Sequence, residues 1–190
     1  NCCILTSDAL FMSAMLTGQL SDLLHIIDSC GLPSSTNRYV FNGDFVDRGA
    51  YGVEVMCVLL AMHACAPEYV TLNRGNHEDY AICTAYGFQL ECYEKYGELV
   101  FGMFVEVFQQ IPLFAVINDS VFILHGGLFH TRDALLSELN AIKRSAFSLE
   151  DLPEGGEGAE EVPRFKRKDF LKQLVRDALW SDPGDQSGLY

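Results

Sequence analysis

Apolar and polar positions along this chain fall into blocks whose period changes repeatedly. Leu20, Leu23, Leu24 and Ile27 recur at helical spacing and predict a helix over 19–30, stopped by Gly31 and Pro33. Residues 38–41 read as a short strand that runs into a polar loop at 42–49. A strongly apolar helix is predicted at 53–65, then a second strand at 69–72 with its own polar loop at 73–78. Helical patterns cover 80–96 and 98–110, with Gly87 and Gly97 as interruptions. A hairpin at 113–117 and 121–124 turns on Asn118-Asp119-Ser120, and its second strand runs into His125-Gly126-Gly127. A helix at 132–144 follows, and a last amphipathic helix at 164–179.

Strands alternating with helices imply an α/β layer architecture. Each polar loop leaves the C-terminal end of a strand, and in such folds the crevice at those ends binds ligands. Asp44, Asn76 and His125 are therefore expected at one place.

Composition narrows the picture. The chain has 190 residues, 49% apolar and 21% charged, enough for one domain with a sizeable core. No apolar run is long enough to cross a bilayer. The net charge of −13 argues against nucleic acid as a partner, because a phosphate backbone demands a basic face. Seven cysteines without a CxxC pair read as reduced core residues of a cytoplasmic or nuclear protein. Residues 149–162 hold six carboxylates, three glycines and a proline, which predicts a flexible acidic insert. The chain opens on Asn1 with neither Met nor a basic leader, and is expected to be cut from a longer protein.

The candidate chemistry sits in the polar loops. Gly43-Asp44-Phe45-Val46-Asp47-Arg48-Gly49 places two carboxylates and a guanidinium within five residues. A carboxylate is a hard ligand able to bridge cations, and an arginine fork suits phosphate oxygens. By itself this stretch would equally serve as a surface turn with a local ion pair. Asn73-Arg74-Gly75-Asn76-His77-Glu78 adds a second arginine, an amide oxygen and an imidazole able to protonate a leaving oxygen near neutral pH. Asn76 would also suit a helix N-cap. His125, at the end of an apolar strand, could be structural or a ligand. His25, His63 and His130 lack such company and read as structural or solvent-facing.

Together the three motifs, GDFVDRG, RGNHE and LHGGL, resemble the phosphoprotein phosphatase family of Ser/Thr protein phosphatases. Asn37 to Asn42, Tyr86-Gly87-Phe88 and Ile111-Pro112-Leu113 are most similar to its type 5 and EF-hand-containing branch. The resemblance covers residues 18–183, leaves 1–17 unmatched, and makes 18–190 a partial catalytic domain. It implies a calcineurin-like metallophosphatase β-sandwich flanked by helices, incomplete at both ends. It further implies phosphoprotein substrates, possible regulatory domains or subunits, and two metal ions such as manganese, iron or zinc. By the resemblance Asp44 bridges the metals, and Asn76 and His125 ligate the second. His77 and Asp47 form the acid–imidazole pair, and Arg48 and Arg74 are the phosphate-binding arginines. The family's first motif supplies an Asp and a His to the first metal, but here Met15 and Thr17 stand in their places. Weak cation binding and little phosphopeptide turnover by this chain are therefore expected. A binding module without turnover, or a metallophosphoesterase of another kind, is the alternative to a protein phosphatase.

Overall fold

Burial of the three central residues of β3 (Arg38–Asn42) and of all four residues of β4 (Val70–Asn73) explains why these segments are strands. Tyr39, Val40 and Phe41 are all buried, as are Val70, Thr71 and Leu72, the pattern of parallel strands covered on both faces. The computed structural model describes residues 3–5, 10–13, 15–131, 133–146 and 167–182. In it β2 (Leu10–Ser13), β3 and β4 form a parallel sheet in that order, with Ser13 opposite Phe41 and Asn42 opposite Asn73. A second sheet orders β1 (Cys3–Leu5), β5 (Phe114–Ile117) and β6 (Val121–Leu124), with β1 parallel and β6 antiparallel to β5. Residues 3–5 and 10–13 thus extend both sheets, although they lie in the segment that the sequence motifs leave unmatched.

The sheets meet at the C-terminal ends of β3 and β4. Val40, Ile117 and Ile123 pack between them. The Asn42 side chain donates to the Leu124 carbonyl at 2.9 Å, and Asn73 Nδ2 donates to Asn42 Oδ1 at 2.9 Å. The strand over 121–124 therefore belongs to a different sheet from 38–42 and 70–73, but its end is tied to theirs by two asparagines.

The larger core is helical cover on the parallel sheet. It joins α1 (Leu20–Cys30), α2 (Gly52–Cys65), α3 (Tyr80–Tyr86), α4 (Phe88–Lys95) and α5 (Glu98–Phe108). Phe101, Phe104 and Phe108 share one face of α5 and close on Phe88, whose ring centroid is 5.3 Å from that of Phe104. Truncating Phe88 to Ala would cost about 3–5 kcal/mol. The helical stretch expected at 80–96 is broken at Gly87, as its glycine implied: Gly87 adopts φ +117° and ends α3. The helix expected at 132–144 shrinks to α6 (Leu136–Asn140) and one 3₁₀ turn (Arg144–Ala146). Thr131 Oγ1 bonds Asp133 at 3.1 Å just before it, a local side-chain contact that competes with helix. α7 (Arg167–Trp180) packs Phe170, Leu174 and Leu179 against β5 and α6. The acidic segment at 149–162 lies outside the described residues. Among the described residues no helix is long and apolar enough to cross a membrane.

Candidate active site

The loops that follow β3 and β4 touch through glycine. Gly43 has φ +85°, and a Cβ there would lie 2.5 Å from Gly75 Cα and 2.6 Å from His125 Nδ1. A Cβ on Gly75 would lie 2.5 Å from Asp44 Oδ1. Any side chain at either position would push apart the three loops that carry the motifs. Asp44, Asp47 and Arg48 themselves take left-handed conformations, with φ of 55°, 67° and 59°. Such residues cost about 1–3 kcal/mol each and persist where surrounding contacts over-determine them.

Asp44 is nearly buried, and its Oδ1 accepts the His77 amide hydrogen at 3.2 Å. The same oxygen lies 3.3 Å from His125 Nε2. His125 Nδ1 is 2.7 Å from the Asn42 carbonyl, which can only accept, so Nδ1 carries a hydrogen, and in the neutral ring Nε2 presents a lone pair. A carboxylate oxygen and an imidazole lone pair therefore face each other, an arrangement completed by a cation between them. Asn76, between Gly75 and His77, has a buried Oδ1 without a hydrogen-bond partner. It does not cap the next helix; Asp79 does, accepting the Ala81 amide hydrogen at 3.2 Å.

Beside this cluster, His77 Nδ1 is 2.6 Å from Asp47 Oδ2, and Asp47 Oδ1 accepts the Phe88 amide hydrogen at 2.9 Å. Burial alone would lower the His77 pKa, but the Asp47 bond and the charges of Asp44, Asp47 and Glu78 outweigh it and raise the value. Its Nε2 lies 3.3 Å from Arg48 Nη2, and the Tyr86 ring packs edge-on at 5.3 Å between centroids. Arg48 is exposed, so its guanidinium can reach a ligand.

Arg74 does not share that place. It is buried, with Nη2 2.9 Å from Asp79 Oδ2 and Nε 2.7 Å from the Glu78 carbonyl. Burial lowers its pKa, with Asp79 and Glu78 opposing. Its expected phosphate contact is thus replaced by an internal ion pair.

Besides Asp79, which pairs with Arg74, two further buried carboxylates were given no role by the sequence reading. Glu78 is fully buried and accepts the amide hydrogens of Asp44, Phe45 and Gly75 at 2.8, 2.7 and 2.9 Å. Burial and the nearby Asp44 raise its pKa while those three donors oppose the shift. Asp177 on α7 accepts from the His130 amide at 3.0 Å and from His130 Nδ1 at 2.8 Å. The Gly126 amide donates to the Ala178 carbonyl at 2.7 Å, so α7 holds the loop that carries His125.

Residues 6–187 match the family model described as calcineurin-like phosphoesterase. This chain belongs to the calcineurin-like phosphoesterase family. It is 41% identical over 171 residues to serine/threonine-protein phosphatase 5 of Solanum lycopersicum, covering 90% of this chain and 27% of that protein. It is 39% identical over 171 residues to serine/threonine-protein phosphatase T of Trypanosoma brucei brucei, covering 90% of this chain and 32% of that one. A Saccharomyces cerevisiae protein serine/threonine phosphatase with similarity to human phosphatase PP5 superposes with TM-score 0.80 at 29% identity, over 97% of this chain and 54% of that chain. The chain spans about a third of the length of these curated relatives.

For a calcineurin-like phosphoesterase the donor set fits one metal position and not a second. The unpartnered Asn76 Oδ1, the Nε2 lone pair of His125 and the Asp44 carboxylate are hard or borderline donors suited to a divalent cation. At the other position the chain leaves β2 beside the Asp44 loop, with the Thr17 amide bonded to the Asp44 carbonyl at 2.8 Å. Met15 and Thr17 there offer only a thioether and a hydroxyl, both poor ligands for a hard cation.

Proposed function

We propose that this chain carries the metal- and phosphate-binding centre of a protein serine/threonine phosphatase, hydrolysing phosphoserine and phosphothreonine in protein substrates. The observation that carries this reading is the 2.6 Å contact of His77 with Asp47, with His77 Nε2 turned toward exposed Arg48 beside Asp44. The names of the relatives support the substrate class.

Arg48 binds the phosphoryl oxygens, its fork matched to an oxygen pair. Once His77 is protonated, its Nε2–H and the Arg48 N–H groups 3.3 Å away both seek an acceptor, and an anionic phosphoester between them satisfies both. As a water oxygen bonds to phosphorus and the P–O bond to serine or threonine breaks, His77 gives its Nε2 proton to the leaving oxygen, so that the alcohol leaves neutral and phosphate is released. Asp47 retains the Nδ1–H, orients the ring and stabilises the imidazolium. Asp44, Asn76 and His125 would hold a divalent cation such as manganese, iron or zinc, which when bound lowers the pKa of a water and neutralises phosphoryl charge.

The test is Mn²⁺-dependent release of phosphate from a phosphoserine peptide. The His77→Asn variant is expected to lose about 10²–10⁴-fold in kcat. Turnover unchanged in His77→Asn would overturn the assignment of the proton donor.

A further inference from the structure

We infer that Glu78 is the positioning residue that sets the Asp44 carboxylate, and that Arg74 acts through it. This rests on the proposed cation site, because the effect of Glu78 is read at Asp44. Glu78 reaches that site through the backbone amide of Asp44. Its two oxygens divide between two loops, Oε2 taking the Asp44 and Gly75 amides and Oε1 taking the Phe45 amide. The partners lie 34, 33 and 3 residues away in sequence. One side chain thus bolts the loop after β3 to the loop after β4.

The bolt acts on a strained residue. Asp44 holds φ +55°, a conformation that persists where surrounding contacts fix it. With the Asp44 amide on Glu78, its side chain turns to the His77 amide and His125. A carboxylate is the side chain that can accept from three N–H donors with both oxygens. Its glutamine analogue has one acceptor oxygen and would set an NH₂ group against at least one amide hydrogen. Glu78 is held in turn at its own backbone, where its carbonyl accepts Arg74 Nε at 2.7 Å, while Arg74 is anchored on Asp79. The line Asp79, Arg74, Glu78, Asp44 gives buried Arg74 a task that exposed Arg48 lacks.

The full chain, Glu78→Gln and Leu59→Ala are compared at low temperature, below the melting transition of each. Leu59 is fully buried in the helical core and serves as a destabilised control. Titration calorimetry with Mn²⁺ reads affinity, and amide hydrogen exchange without metal reads the bolt. Glu78→Gln is expected to weaken Mn²⁺ binding at least tenfold and to speed exchange selectively at Asp44, Phe45 and Gly75. Leu59→Ala should keep wild-type affinity and protection at those amides. Glu78→Gln with wild-type affinity, or equal losses in both variants, would overturn the proposal. Should Glu78→Gln fail to fold, the wild-type protein decides: the three amides must be strongly protected and exchange as one unit, and exchange at open-loop rates refutes the bolt. A wild-type chain that binds Mn²⁺ without turning over phosphopeptide refutes the phosphatase reading alone. One that binds no Mn²⁺ refutes the cation site and this positioning role together.

Discussion

His77 and Asp47 are joined by a 2.6 Å contact, and the second oxygen of Asp47 is committed to the Phe88 amide at 2.9 Å. The imidazole is thereby fixed to the start of α4 as well as to its own loop. An Asp47→Asn substitution has to choose which donor to satisfy. Its NH₂ group would face either the Phe88 N–H or His77 Nδ1, reversing the ring tautomer in the second case. Phosphopeptide kcat is expected to fall by about two orders of magnitude or more, with a stability loss of about 1–3 kcal/mol. Steady-state kinetics and thermal melts check both.

The two motif arginines should separate by experiment. Arg48→Met is expected to leave the melting temperature unchanged and to weaken inhibition by inorganic phosphate, because Arg48 is exposed and faces His77. Arg74→Met removes the cation from the buried Asp79 carboxylate and is expected to cost about 3–5 kcal/mol. Equal stability in the two variants would contradict the burial of Arg74.

Met15 and Thr17 occupy left-handed backbone, at φ 55° and 34°. Asp and His tolerate that region better than Met or β-branched Thr. The double variant Met15→Asp, Thr17→His is therefore expected to fold at least as stably as the parent. Its Mn²⁺ stoichiometry in calorimetry should rise from one toward two, since hard donors replace a thioether and a hydroxyl.

The thiols should fall into two classes. Cys57 and Cys65 are exposed, whereas Cys83 and Cys92 are fully buried. Burial pushes the Cys92 thiol up to about 12 and raises Cys83 as well. Iodoacetamide is expected to label Cys57 and Cys65 in the native chain and to spare the other two, as read by mass spectrometry. A thiol pKa raised in the folded state stabilises fully below its unfolded value, about 8.5. That contribution is lost as pH climbs toward 12. Unfolding free energy should decline over that alkaline window, and less so in Cys92→Ala.

Much of the site was legible because its residues break a pattern. Asp44, Asn76 and His125 follow apolar strands at points where helical cover stops, and polar residues have no packing reason to be there. The strands expected at 38–41 and 69–72 were readable because each short, mostly apolar stretch ends in a polar loop. Glu78 and Asp177 were not, because their partners lie 33 or more residues away for Asp44 and Phe45, and 47 away for His130. Nothing local distinguishes a solvated glutamate from one that holds two loops. The direction of Arg74 was hidden for the same reason, since pairing with Asp79 five residues on looks in sequence like any charged loop. The break at Gly87 was legible, because glycine interrupts the helical period there and is the residue that accepts φ +117°.

Asp44, Asn76 and His125 are proposed to form a cation site beside the His77–Asp47 pair. Anomalous diffraction from a Mn²⁺-soaked crystal of the chain tests it most directly. A single peak is predicted among Asp44 Oδ1, Asn76 Oδ1 and His125 Nε2, at roughly 2 Å from each donor, and it should vanish in Asn76→Ala. Manganese bound elsewhere with these three side chains unligated would contradict the account.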